Sequence, residues 1–317
     1  MWPTVLTPFS STGAIDWPAY EQLCEYYLSQ RSTGLFALCY SSEAHFLTVE
    51  EKIRLATMTA AITGSEAVVA GALSNGSLDD TINLVNRLAD TGVAAVVVST
   101  NEIARQNASD AETEHGFNRL LSETGDIDLG LYECPTPFHR LLTPEQMHRL
   151  AATDRFVFHK DTTCDANLIA AKIEAVAGSR MRFFNANIAT LSQSIRDGGD
   201  GYCGVGSNYF PRLYTLVYEL ATTQPERADH VSAFLVQAEQ LICDPYPASA
   251  KACLSLQGVP MEKYCRASSE PIKVQHLRLL QETIDQAEAL EAAFAAPVPE
   301  PHFSLKKVTE FGRAEAN

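Results

Sequence analysis

Short apolar runs recur along the chain at a steady beat, and a longer amphipathic stretch follows each one. The runs are Thr4–Thr7, Gly34–Cys39, Ala67–Ala72, Ala94–Ser99, Leu129–Tyr132, Phe156–His159, Met181–Phe184 and Gly201–Gly204. They are too short for helices, and several are rich in Val, Phe and Leu, so they predict strands. The stretches between them predict helices over Trp17–Leu28, Thr48–Thr63, Leu78–Thr91, Ala111–Thr124, Pro144–Ala152, Asn167–Ala177, Ile188–Asp197 and Pro211–Thr222. Start marks support several of these. Asp16 precedes the first helix and Pro18 falls in its first turn, Thr48 leads into Glu50 and Glu51, and Thr143-Pro144 reads as a cap followed by proline.

Strands and helices that alternate in this way predict an α/β fold, a (β/α)8 TIM barrel. A doubly wound sheet shares the alternation but carries a glycine-rich loop after its first strand. Here that loop reads TPFSSTG. After Thr223 the pattern changes. Helical stretches over Glu226–Ile242, Pro247–Leu256 and Pro271–Ala293 follow with no strand between them. The expected organisation is a barrel over 1–223 that carries the active site, a C-terminal helical appendage over 224–296, and a tail over 297–317. The tail is polar and contains proline, and is expected to be weakly ordered unless it packs on a partner subunit.

Length and composition agree with one barrel plus an appendage. The chain has 317 residues, of which 46% are hydrophobic and 20% charged, the balance of an ordinary folded globule. Its formal charge of −15 argues against broad binding to nucleic acid or to an anionic membrane, but leaves a small anionic substrate open. The longest apolar run, Val93–Val98, falls far short of the ~20 residues of a membrane span. The opening segment has neither a basic nor an apolar leader region, so no secretory signal is expected. Eight cysteines are spread singly with no CxxC pair, which predicts reduced thiols in the cytoplasm and no zinc ribbon.

A barrel builds its active site at the C-terminal ends of its strands. Only one lysine ends a predicted strand, Lys160 in FVFHKD. An amine held at an apolar mouth can condense with a ketone to form a Schiff base. The same position also suits a lysine that caps the barrel by pairing with Asp161. Tyr132 ends the preceding strand in LGLYECP, close enough in a barrel for its phenol to shuttle protons or simply to pack. The turn Cys39-Tyr40-Ser41-Ser42-Glu43 offers hydroxyl and N–H donors for a carboxylate. His45, His139 and His159 also lie near strand ends but have no metal-ligand spacing. Asp161 and Asp165 read as solvated caps, and no metal is expected.

Together these segments resemble the dihydrodipicolinate synthase / N-acetylneuraminate lyase family of class I aldolases. TVLTPFSSTGAID is similar to the family's T-P-F…G-x-[IV]-D, and CYSSEAHFLTVEE to its G-[ST]-T-G-E-x-x-x-L-[ST]-x-E-E. AVVAGALSN, LYECP, FVFHKDTTCD, GGDGYCGVGSN and the LSLQGVP…RASSEP stretch match further motifs in the same order. Tyr132 and Lys160 lie 28 residues apart, which also suits the family. The resemblance implies that Lys160 condenses with pyruvate or a similar 2-oxo acid and that Tyr132 moves protons. It further implies that Ser41 helps hold the carboxylate, that no cofactor is needed, and that the protein is a homo-oligomer, usually a tetramer.

This chain departs from the family in several places. Tyr40 replaces the motif's first small hydroxyl and Ser42 its glycine. Pro137 stands where the synthases carry an arginine, with Arg140 three residues on as a substitute. The segment STNEIARQN lacks the synthases' tyrosine. Ala186 replaces a glycine after the seventh strand, and Gly204 ends the eighth. The expected substrate-binding set is therefore Ser41, Ser42, Tyr40, Gly204, Ala186 and Arg140. The losses favour an aldolase or lyase that joins a 2-oxo acid to an aldehyde other than aspartate semialdehyde. The alternatives are a Schiff-base dehydratase or hydratase-aldolase, a true dihydrodipicolinate synthase, or a barrel that binds ligand without turnover.

Overall fold

A computed structural model of the chain describes residues 1–294, so the tail expected over 297–317 lies outside the described residues. In chain order the elements begin α1 (Trp17–Ser29), β1 (Leu35–Ala37), α2 (Val49–Thr63), β2 (Val68–Gly71), α3 (Leu78–Ala89) and β3 (Ala95–Ser99). A one-turn α4 (Thr100–Ile103), α5 (Asp110–Glu123), β4 (Leu129–Tyr132), α6 (Pro144–Ala151), β5 (Phe156–Asp161) and α7 (Ala166–Val176) follow. The α/β part ends with β6 (Arg182–Asn185), α8 (Ile188–Arg196), β7 (Gly201–Tyr202) and α9 (Pro211–Leu220). The helices start where the caps predict. Asp16 accepts from Ala19 N–H, and Thr48 and Thr143 close capping boxes with Glu51 and Gln146.

The strands form one parallel sheet in sequence order, β1 to β7. The predicted first strand, Thr4–Thr7, is reduced to a parallel bridge at Thr4 with Phe36. Pro3 explains this, because it has no N–H to give to a ladder. The segment still fills the seam. Trp2 N–H donates to the Tyr202 carbonyl of β7 at 2.9 Å. On the other side, Phe36 N–H donates to the Pro3 carbonyl and Val5 N–H to the Phe36 carbonyl of β1, each at 2.9 Å. The sheet is thereby joined edge to edge as a (β/α)8 barrel.

Large side chains fill the interior, as a barrel of this size requires. Phe158 and Phe184 stack at 4.7 Å between ring centroids, and Trp2 lies 5.4 Å from Phe158. Gly34 makes room for Trp2, since a Cβ there would sit 2.5 Å from the indole.

The helices α10 (Pro225–Ile242), α11 (Ala248–Leu256) and α12 (Val274–Phe294) follow. Helix α10 packs on α8 and α9. Its half-buried Glu239 accepts from the Tyr202 and Tyr214 hydroxyls, which ties it to β7 and α9. No described helix is long and apolar enough to cross a membrane.

Candidate active site

Tyr132 and Lys160 are direct partners in the β4–β5 ladder. Strand β5 runs to Asp161, so Lys160 lies within it rather than after its end. Alternation alone would put Phe156, Phe158 and Lys160 on one face. It does not, because the register slips between Leu129 and Gly130, whose partners are Phe156 and Phe158. Phe156 packs outward on Phe117 of α5 at 6.2 Å, whereas Phe158 stacks inside the barrel on Phe184. This slip flips the rest of β5 and turns Lys160 inward.

The Lys160 amine lies 4.3 Å from the centre of the Tyr132 ring and 5.7 Å from that of Phe36. Four lysines are buried among the described residues: Lys52, Lys160, Lys172 and Lys251. Lys52 donates to the Leu73 carbonyl at 2.5 Å, Lys172 pairs with Glu133 and Asp161, and Lys251 pairs with Glu43. Lys160 alone has no hydrogen bond or ion pair among the described residues. It sits over ring faces, with Cys134 and Cys203 both near enough to feel its charge. Burial pushes the Tyr132 phenol well above its ordinary range, with Cys134 and Cys39 adding to the effect. Burial also pushes the Cys203 thiol up to about 12. The phenol and that thiol are therefore held protonated at neutral pH.

Behind these residues, on the helix side of the sheet, lies a buried ionic cluster that the sequence did not announce. Lys172 of α7 donates to Glu133 at 2.7 Å, to Asp161 at 2.8 Å and to Thr163 Oγ1 at 2.6 Å. Glu133 also accepts from Leu142 N–H at 2.8 Å. His159 Nε2 lies 3.8 Å from Asp161 and 4.0 Å from Glu133, and neither ring nitrogen has a hydrogen-bond partner. Burial alone would raise the Asp161 carboxyl, but His159 and Lys172 outweigh it and hold the group well below its usual range. Asp161 is therefore a buried ion-pair member, neither a solvated cap nor a partner of Lys160. Glu133, His159 and Asp161 are the one described trio whose ligand atoms converge within 4.8 Å. The Lys172 ammonium, bonded to both carboxylates, supplies the positive charge there. Asp165 does cap its helix, accepting from Leu168 N–H at 2.9 Å.

The turn after β1 supplies the expected donors unequally. Ser42 is committed to structure, since it donates to the Val5 carbonyl at 2.5 Å and accepts from Cys39 N–H at 3.1 Å. Ser41 is buried, and its hydroxyl makes no such structural bond. Glu43 stands in the left-handed region at φ 55° and anchors the turn through Lys251 and Ala267 N–H. Tyr40 is 42% exposed. It lines a cavity of about 730 Å³ together with Asn101, Arg105, Thr136, Pro137 and Phe138.

Arg140 is bound elsewhere. It donates to the carbonyls of Ala104 and Arg105 and to Thr113 Oγ1, so it staples the loop after β3. Arg105 reaches the cavity instead, from the very segment that lacks the family's tyrosine. Asn101 holds the loop after β4, donating to the carbonyls of Cys134, Thr136 and Phe138 at 2.8–2.9 Å. Gly204 and Ala186 meet at the mouth, where a Cβ on Gly204 would lie 2.5 Å from the Ala186 carbonyl oxygen. His139 donates to or accepts from Thr162 Oγ1 at 2.7 Å, and His45 bonds Asn75.

The fold and this mouth are those of a (β/α)8 lyase, and comparison with known proteins agrees. The model of the Dihydrodipicolinate synthetase family matches residues 1–287. The 4-hydroxy-tetrahydrodipicolinate synthase of Shewanella denitrificans is 24% identical over 287 residues, covering 90% of this chain and 96% of that one. Among solved structures, the dihydrodipicolinate synthase of Thermotoga maritima superposes with a TM-score of 0.80 at 23% identity, covering 90% and 97% of the two chains. The chloride-inhibited dihydrodipicolinate synthase of Acinetobacter baumannii, solved with pyruvate, gives 0.79 at 22%, covering 90% and 97%. The chain belongs to the dihydrodipicolinate synthetase family. It is a lyase-class enzyme for pyruvate or a similar 2-oxo acid.

Proposed function

We propose that Lys160 is the amine that forms the Schiff base and that Tyr132 moves the protons. The Lys160 nitrogen adds to the ketone carbon of the 2-oxo acid, giving a carbinolamine. Its hydroxyl leaves as water with a proton from Tyr132, and an iminium remains. Loss of a proton from the adjacent carbon gives the enamine, which attacks an aldehyde carbon to form the new bond. Hydrolysis frees Lys160, and the reverse order cleaves the product. The observation that carries this reading is the solitary state of Lys160, since each of the other buried lysines has its charge answered. With no carboxylate or carbonyl holding it, the amine is left free to meet an incoming ketone.

The substrate carboxylate rests on the Ser41 hydroxyl and on the Tyr40 and Ser41 N–H groups, which have no acceptor among the described residues. The acceptor aldehyde enters through the cavity lined by Tyr40, Pro137 and Arg105. With Arg140 bound to carbonyls, Arg105 is the arginine left to line this cavity, and its guanidinium pairs with Glu112 at 2.8 Å. Gly204 and Ala186 keep the mouth narrow beside the iminium. The same proposal places the enzyme in the cytoplasm as a homo-oligomer.

Borohydride reduction with pyruvate, read by intact mass and peptide mapping, tests the central step. A stable pyruvate adduct on Lys160 is expected. Folded protein with no adduct across a panel of 2-oxo acids would defeat the reading.

A further inference from the structure

The cavity beyond Tyr40 is built on the C-terminal ends of three strands. Tyr40 follows β1, Asn101 follows β3, and Thr136 to Phe138 follow β4. Tyr132 ends β4, and two residues later the Cys134 carbonyl accepts from Asn101 at 2.9 Å. The cavity therefore belongs to the mouth, one loop beyond the phenol that moves the protons. At about 730 Å³ it is of the size that takes a small molecule.

Its walls are rings and branched chains: Tyr40, Phe46, Leu78, Ile103, Pro137 and Phe138. Tyr40 and Phe46 are 42% and 51% exposed, so neither ring is used up by the core. Tyr40 meets the His45 ring edge-on at 5.9 Å. Phe138 is fixed from two sides. Asn101 donates to its carbonyl at 2.9 Å, and the Arg140 guanidinium lies 5.6 Å from its ring centre.

The polar groups along these walls already have partners. Glu102 accepts from Ser74 N–H at 3.0 Å, from Asn75 N–H at 3.3 Å and from Thr81 Oγ1 at 2.9 Å. Asn101 gives its amide hydrogens to backbone carbonyls and accepts from Ser99 at 2.8 Å. Asn75 bonds the His45 ring and donates to the His45 carbonyl. Arg105 pairs with Glu112 at 2.8 Å. Burial lowers the His45 imidazole, so it adds little positive charge at neutral pH. Among the described residues, an anionic acceptor finds no unpaired cation on these walls. An acceptor with many hydroxyls finds its hydrogen-bonding sites taken. Aromatic faces remain, and these favour another ring.

We propose that this cavity selects an uncharged aromatic aldehyde as the acceptor, with Tyr40 and Phe138 as the residues that set the choice. This rests on the assignment of the Schiff base to Lys160. The enamine carbon bonds to the aldehyde carbon, and the aldehyde oxygen takes up a proton to become a hydroxyl. Water then hydrolyses the iminium and releases a 4-hydroxy-2-oxo acid that carries the ring. The water consumed there replaces the one lost when the iminium formed.

The test measures kcat/KM at saturating pyruvate for benzaldehyde, succinic semialdehyde and glyceraldehyde, beside borohydride trapping of pyruvate on Lys160. Succinic semialdehyde reads whether Arg105 leaves Glu112 for an anion. Benzaldehyde is expected to exceed both of the others by about 10-fold or more, the scale of discrimination in an apolar pocket. In Phe138→Ala the ratio of benzaldehyde to succinic semialdehyde is expected to fall about 10-fold, and in Tyr40→Thr it falls in the same direction. A general loss of structure lowers both rates and leaves that ratio where it was. A wild type that labels Lys160 but prefers either of the other aldehydes, or does not turn benzaldehyde over, would overturn the proposal. So would an unchanged ratio in Phe138→Ala. Failure to label wild-type Lys160 would count against the Schiff-base reading instead. Ligand-observed NMR with benzyl alcohol, which cannot react, would then decide for the cavity. Binding that weakens in Phe138→Ala supports it, and absent or equal binding overturns it.

Discussion

At the residue scale, the reactivity proposed for Lys160 rests on what that side chain lacks. A lysine side chain is a compact charge that burial penalises, and three of the buried lysines recover that loss through carbonyls or carboxylates. Lys160 sits instead over the Tyr132 and Phe36 rings. Tyr132 stays protonated through burial, so it can deliver a proton when water leaves the carbinolamine. Tyr132→Phe keeps the ring under the amine but removes that proton. Turnover is expected to fall about 10²-fold or more while the borohydride adduct still forms slowly. Steady-state rates measured beside trapping time courses check this, and unchanged turnover would remove Tyr132 from the chemistry. The sequence brought out Lys160 and Tyr132 because each closes an apolar run. It could not show that Ser42 is bound to Val5 or that Arg140 is bound to the loop after β3, since those partners lie far along the chain.

At the scale of elements, β5 is the decisive strand. Its register slip against β4 turns Lys160 into the barrel and sets His159 and Asp161 against α7. The Glu133–Lys172–Asp161 cluster then holds together the ends of β4 and β5 and helix α7. Lys172→Met leaves two carboxylates buried without their cation. Stability is expected to drop by about 3–5 kcal/mol in urea unfolding. A loss below about 1 kcal/mol would show that the cluster contributes little. The cluster also predicts an acid response. Asp161 titrates lower in the folded protein than in the unfolded chain, so its contribution is complete above the unfolded value of about 4. That contribution is lost as pH falls through the folded value. Asp161→Asn is expected to unfold at lower denaturant at neutral pH, with a shallower loss of stability below about pH 4 than wild type. Parallel urea curves across pH check the slope. Glu133 and Lys172 escaped notice in the sequence because a glutamate in a loop and a lysine in a helix usually face water.

Across the whole molecule, the helices after β7 are part of the site's construction. Glu239 ties α10 to Tyr202 and Tyr214, while Lys251 of α11 reaches Glu43 in the turn that carries Ser41. Arg266 adds a pair with Glu51 of α2 at 2.7 Å. Lys251→Met is therefore expected to act at two levels. It leaves Glu43 buried and unpaired, which lowers stability by about 3 kcal/mol or more. It also frees the turn, so half-saturation by pyruvate rises. Thermal melts and pyruvate trapping on one preparation measure both, and a stability loss with unchanged pyruvate saturation would separate the anchor from the subsite. The net charge of −15 gives these local donors their importance. A 2-oxo acid anion approaches an acidic protein, so the proposed subsite relies on donors set at the mouth rather than on the overall field.

The sequence by itself determined the alternation of strands and helices, the caps that start the helices, and the two strand-end side chains on which the proposed chemistry turns. Those features are local. Burial repeats with the period of each element, and a cap needs only the next few residues. Tertiary structure decided the rest. It closed the barrel across Pro3 with β1 and β7, turned Lys160 inward through a slip in strand pairing, left it the one buried lysine without a hydrogen bond or ion pair among the described residues, and brought Tyr246 to Asn208. Each of these depends on which distant backbone or side chain a residue meets. That is a property of register and packing between segments up to about 200 residues apart, and no local pattern of polar and apolar positions contains it.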